Sequence, residues 1–95
     1  MNTLLTINDT AIPLNNFTQE YMGNIVRGIV TSLGVNGSNI QLLINREVLL
    51  IMADCEDVTI REEAAHYMIK STVKEMLSSF KDIPSVETIS MTVTE

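Results

Sequence analysis

The chain has little of what specialised sites are built from. It contains one cysteine, Cys55, and one histidine, His66. A lone cysteine excludes an internal disulfide, and the pair cannot complete a zinc site without carboxylates or a second chain. No catalytic, metal-binding or nucleotide-binding motif is present. We therefore expect no cofactor and assign no catalytic residue.

Positive charge is also scarce. Six Lys and Arg residues stand against twelve Asp and Glu residues, which gives a formal net charge of −6. An acidic surface repels phosphate backbones and anionic lipid headgroups. We therefore expect neither nucleic acid nor a membrane surface as a partner.

Long apolar runs are missing as well. The longest, Val48–Ala53, is far shorter than the roughly 20 residues that a membrane-spanning helix needs. The first ten residues, MNTLLTINDT, do not combine a basic region with a following apolar segment, so no signal peptide is expected. Together with the single cysteine, these features predict a cytoplasmic protein.

What the sequence does contain is a regular alternation of apolar patterns, which predicts one domain over residues 1–95. Alternating or continuous apolar runs predict strands, and apolar positions three and four residues apart predict helices. The segment Ala11–Leu14 stays open as either a short return strand or a loop. The expected order is a strand at Leu4–Ile7, a helix at Asn16–Leu33, a hairpin at Ile40–Ala53, a helix capped at Thr59 and ending near Phe80, and a strand at Val86–Val93.

This β-α-β-β-α-β order predicts an α+β fold, the ferredoxin-like split sandwich, with two helices on one face of an antiparallel four-stranded sheet. In that arrangement the first and third strands are central, and the second and fourth are at the edges. The two halves of the chain repeat the same order of elements at similar spacing, although their residue identity is close to chance.

Several ferredoxin-like families resemble this chain in architecture. Heavy-metal-binding domains carry Cys-x-x-Cys after the first strand, where this chain has Asn8-Asp9-Thr10. RNA-recognition domains carry aromatic residues on their central strands. The strands predicted to be central in this chain carry Leu, Ile and Met instead. Small-molecule regulatory domains of the ACT type are similar in size and order, but their glycine in the first strand–helix loop has no counterpart here. That resemblance implies an alternative function, effector sensing with a small ligand bound at a dimer interface.

The strand at Val48–Ala53 is apolar on both alternating faces, so it needs cover on both sides of the sheet. Two helices cover one side only. If alternate residues of this strand pack against the helices, the remaining ones turn outward beside the first strand. The predicted outward set is Val48, Leu50, Met52 and Leu4.

Such a set makes an apolar patch of a few hundred Å², which usually marks a binding surface. We therefore predict a homo-oligomer, most simply a two-fold dimer, that associates through the open sheet face or through the apolar edge of the second strand. The expected role is a structural or protein-interaction module rather than an enzyme. The competing interpretation is that a terminal segment of the same chain covers the patch.

The sequence offers two further candidate sites, an acidic run and a cysteine–histidine pair. Asp54, Cys55, Glu56 and Asp57 form an acidic run that lacks the glycine and spacing of a calcium loop. Cys55 with His66 as its base is the only nucleophile–base pair available, but acidic neighbours oppose formation of the thiolate. The sequence leaves open whether these five residues form any site.

The predicted helices carry apolar stripes, and the first helix also contains two glycines. Phe17 and Tyr21 belong to the apolar stripe of the first helix, and Met68 to that of the second. Gly23 and Gly28 lie inside the first helix, where each costs about 1 kcal/mol relative to Ala. This cost predicts that both glycines allow close packing against the sheet or another helix.

Overall fold

Within residues 2–46, 48–80 and 87–94, which are those that the computed structural model describes, the chain forms six strands and two helices. The predicted start of the last strand at Val86 lies outside these residues. The elements are β1 (Asn2–Ile7), β2 (Thr10–Ile12), α1 (Asn16–Ser32), β3 (Ile40–Ile44), β4 (Leu49–Ala53), β5 (Glu56–Asp57), α2 (Glu63–Leu77) and β6 (Ile89–Thr94).

The α+β class is confirmed, but the predicted strand order is wrong. The strands lie in the order β2-β1-β6-β3-β4-β5, and every neighbouring pair is antiparallel. The second and fourth long strands, β3 and β6, are central, whereas β1 and β4 flank them. The reason is that apolar alternation reports which sides of a strand are covered and not its lateral position. The half-polar strand β6 can lie in the middle of the sheet because its polar residues face the side that the helices do not cover.

The two strands beyond the predicted four are short returns. Ala11 and its neighbours form β2 against β1, and Glu56–Asp57 form β5 against β4. Each return follows a two-residue turn with positive φ: 50° and 66° at Asn8 and Asp9, and 50° and 68° at Asp54 and Cys55. Asn and Asp tolerate this left-handed conformation better than most residues, which suits them to tight hairpin turns.

The repeated order of elements forms an internal pseudo-two-fold. The unit β1-β2-α1-β3 corresponds to the unit β4-β5-α2-β6. When the two units are exchanged, the order of strands in the sheet is the same read from the other end, so the pseudo-two-fold axis passes between β6 and β3. The turns match in detail. The side-chain oxygen of Asn8 accepts the N–H groups of the two residues before β6, at 2.8 and 3.0 Å. The carboxylate of Asp54 accepts those of the two residues before β3, at 3.0 and 2.9 Å.

Both helices pack on one face of the sheet and bury it. The helices contribute Met22, Val26 and Val30 from α1 and Ile69, Val73 and Leu77 from α2. The four long strands contribute their inward side chains: Leu5, Ile7, Ile40, Leu42, Ile44, Leu49, Ile51, Ala53, Ile89, Met91 and Val93.

The start of α1 is fixed by hydrogen bonds to its neighbours. Asn15, the residue before α1, caps the helix: its side-chain oxygen accepts a hydrogen bond from the Thr18 N–H at 2.8 Å. Buried Thr3 on β1 donates its hydroxyl to the Gln19 carbonyl at 2.7 Å. By contrast, the predicted cap of α2 at Thr59 is wrong, because Glu62 occupies the cap position and its side chain makes no capping hydrogen bond.

We predict that Asp54→Ala lowers the free energy of unfolding by about 2–3 kcal/mol, because two N–H groups lose a charged acceptor and alanine resists positive φ. Asp54→Asn is the matched control, since it keeps an acceptor oxygen and tolerates the same backbone. Urea denaturation measures both variants. Equal stability of the two variants would contradict this role of the side chain.

Candidate interaction surfaces

The sheet face opposite the helices, called here the open face, carries exposed leucines. Leu4 on β1 is 68% exposed and Leu50 on β4 is 51% exposed, while Val48 just before β4 is 37% exposed. Met52 is half-buried. The strand register also places Leu43 of β3 directly beside Leu50, a neighbour that the sequence patterns did not single out.

The centre of the open face is polar. Thr92 of β6 and Gln41 of β3 lie in one cross-strand row between Leu4 and Met52. The apolar residues therefore form two areas, one on β1 and a larger one on β3 and β4. The pseudo-two-fold relates Leu4 to Leu50, so each half of the chain supplies one exposed leucine.

The sheet edges offer little room for association. The predicted route through the edge of the second strand is wrong, because β3 lies between β6 and β4 and is paired on both sides. The outermost strands are β2 and β5, with three and two residues. Very short edge strands are a recognised means of preventing edge-to-edge pairing. The open face is thus the broad exposed surface of this sheet.

A second apolar surface lies on the other side of the molecule, between α1 and α2. Tyr21 borders a cavity with Ser79, whereas Leu33 borders one with Ala65, so the helices run antiparallel. The two cavities, about 660 and 470 Å³, meet at Ile25. They form one surface groove, called here the interhelical groove. Its apolar walls are Tyr21, Ile25, Ile29 and Leu33 on α1 and Ala65, Met68, Ile69 and Met76 on α2.

Large side chains stand exposed beside this groove. Phe17 and Tyr21 stack with ring centroids 5.8 Å apart and are 73% and 54% exposed. On α2, Met68 lines the groove and is 65% exposed, whereas Tyr67, which lines neither cavity, is 75% exposed. The predicted apolar stripe of the second helix is therefore wrong at Met68. Ile69 takes the buried position, which leaves Met68 at the groove.

The two helical glycines have different surroundings. Gly23 is buried with the core positions of α1. Gly28 is exposed, lines the groove, and a Cβ placed on it would meet no atom of the described residues within 4 Å. Packing within this part of the chain therefore gives no reason for glycine at position 28.

The acidic run is divided between a turn and a short strand. Asp54 and Cys55 make the turn after β4, and Glu56 and Asp57 form β5, all exposed. His66 lies on α2, where its Nε2 is 3.2 Å from the carbonyl oxygen of Ile60. Among the described residues there is no hydrogen bond between Cys55 and His66, and no group of three or more His, Cys, Asp or Glu side chains is placed to hold a metal ion.

The first loop, where the ACT resemblance implies a ligand, is a two-residue turn. The Asn8 side chain there is engaged by two N–H groups, and the Asn8 N–H donates to the Thr88 carbonyl at 2.9 Å. These bonds engage the side-chain oxygen and the backbone N–H of Asn8.

Over the described ranges, neither helix combines the length and apolar character needed to cross a bilayer. Comparison with protein-family models, with curated proteins and with solved structures finds no significant match to this chain.

We predict that Gly28→Ala raises the free energy of unfolding by about 1 kcal/mol, because alanine favours the helix and its methyl group enters open space. Gly34→Ala is the control: Gly34 has φ of 84°, so alanine there should lower stability by about 1–2 kcal/mol. Thermal and urea unfolding measure both. Destabilisation by Gly28→Ala would show that position 28 is tightly packed.

Proposed function

We propose that this protein is a self-associating interaction module whose dimer forms by stacking two open faces. The observation that supports it is the outward placement of Leu4 and Leu50 on a sheet that the helices cover on one side only. Fully burying one such side chain is worth about 1.5–3 kcal/mol. Water-exposed leucines on a flat sheet forgo that energy unless a second molecule covers them.

The dimensions of the molecule agree with this role. Its Cα extents are 34 × 28 × 18 Å, so the broad face is comparable with the roughly 800 Å² that each partner contributes to a standard interface. The apolar part is only a fraction of that area. The remainder must be supplied by polar contacts between the strands' outward residues.

The polar centre of the open face suits contact between identical surfaces. The outward side chains of β6 include Ser90 and Thr92, and a hydroxyl group both donates and accepts hydrogen bonds. Two copies related by a two-fold axis can therefore pair these groups with each other. The leucine areas on either side, one from each half of the chain, then meet the partner's leucine areas.

We predict that Leu50→Lys converts the dimer to monomer or aggregate, because stacking would bury a charged ammonium without a partner. Leu4→Lys, the pseudo-symmetric change, should weaken the dimer in the same way. Met68→Lys is the control, since Met68 has similar exposure but lies on the helical side. Light scattering and sizing over a range of protein concentrations measure the assembly.

Two outcomes would overturn this proposal. One is a wild-type protein that stays monomeric at every concentration. The other is a Leu50→Lys variant that remains folded by circular dichroism and keeps the wild-type assembly.

The alternative, an effector-sensing domain, is separated by a thermal-shift screen with amino acids and nucleotides. A ligand that binds only the folded state raises the melting temperature, by mass action. Under our proposal the melting temperature depends on protein concentration and does not change with these ligands. A saturable increase with one of them would favour the alternative.

A further inference from the structure

We infer that the interhelical groove is a docking site for an amphipathic helix of a partner protein, with a basic flank on that helix. The groove lies on the opposite side of the sheet from the open face. This inference therefore stands independently of the proposed dimer.

The shape of the groove fits a helix. On α1 it runs from Tyr21 to Leu33, which at a rise of 1.5 Å per residue is about 18 Å. That length matches three to four turns of a partner helix. Because α1 and α2 are antiparallel and leave the groove open to solvent along its length, a third helix can lie between them. Apolar anchors one turn apart are how a helix is recognised in such a groove.

Gly28 points to close approach by another chain. Glycine in the middle of α1 carries a cost in helix stability, and no contact within the described residues explains it. Its missing side chain leaves space facing the groove. Small residues at a helix surface let a second backbone come near, so an external helix crossing at Gly28 accounts for a residue that the isolated fold does not require.

Charge decides between a foreign helix and a second copy of this chain. Among the described residues that line the two cavities, Glu75 is the only charged one. Glu75 occupies the position that the pseudo-two-fold relates to Gly28, in the half of the groove that Tyr21 borders, whereas Gly28 lies in the half that Leu33 borders. A second copy that faced this groove with its own groove would bring another Glu75, whereas a helix flanked by Lys or Arg is attracted to it.

The exposed side chains beside the groove have the chemistry of binding anchors. Aromatic residues are enriched among the residues that dominate binding energies, and methionine adapts its shape to partners. Tyr21 stacked on Phe17 at one end and Met68 on the opposite wall supply both kinds.

The test uses two fluorescein-labelled peptides of fourteen residues, as probes, held helical by a hydrocarbon staple. Both carry Leu at positions 2, 5, 9 and 12; one has Lys and the other Glu at the flanking positions. Fluorescence anisotropy measures binding to the full chain. The expected result is saturable binding of the Lys peptide, at least tenfold tighter than the Glu peptide.

Variants locate the site. Gly28→Leu should weaken binding of the Lys peptide at least tenfold, and Glu75→Gln should weaken it about threefold. Gly28→Ala, a smaller change that favours the helix, should give an intermediate loss. Thr31→Leu, an exposed α1 position outside the groove lining, and Leu50→Lys on the open face should leave binding unchanged. Circular dichroism confirms that each variant is folded.

The inference is overturned by any of three results: neither peptide binds, the two peptides bind equally, or Gly28→Leu binds as wild type does. It is also overturned if Gly28→Leu abolishes self-association while Leu50→Lys does not, because the groove would then be the homotypic interface.

Discussion

The structure depends on an imbalance between sheet and helix. In the part of the chain that the structure describes, six strands form one sheet, and two helices shield a single face of it. On that face the long strands bury every alternate residue, from Leu5 through Val93. On the other, the same alternation leaves leucine beside threonine and glutamine. The helices thus stabilise the sheet from one side, and the opposite side carries exposed leucines.

The two halves of the chain contribute equivalent elements to this sheet and to its helical cover. Each half provides a long outer strand, a tight left-handed turn, a short return, a helix and a central strand. The turn side chains Asn8 and Asp54 hold the residues before the central strand of the opposite half. The halves therefore depend on each other. A pair of equivalent helices also produces a groove with matched walls, in which Tyr21 and Met68, and likewise Ile29 and Met76, occupy equivalent positions.

Element types were predictable from the sequence because they follow from local periodicity. The inward set on β4, Leu49, Ile51 and Ala53, was also predictable, since one face of any strand must meet the helices. The order of the strands in the sheet was not predictable. A strand that is apolar on both faces can lie at the centre of the sheet or beside it, and no local pattern tells the two positions apart. The groove was missed for a similar reason. A one-residue shift in helix phase moves Met68 from core to surface, and the exposed space at Gly28 appears only once the helices are placed.

The pairing of Asn2 with Thr94 has a consequence for chain connectivity. This pair is the pseudo-symmetric counterpart of the contact that closes the β3–β4 hairpin, where the Asn45 N–H donates to the Val48 carbonyl at 3.0 Å. Bridging residues 94 and 2 with a short linker, and cutting the hairpin instead, would give a circular permutant with an unchanged succession of elements. The same topology is therefore reached from either starting point.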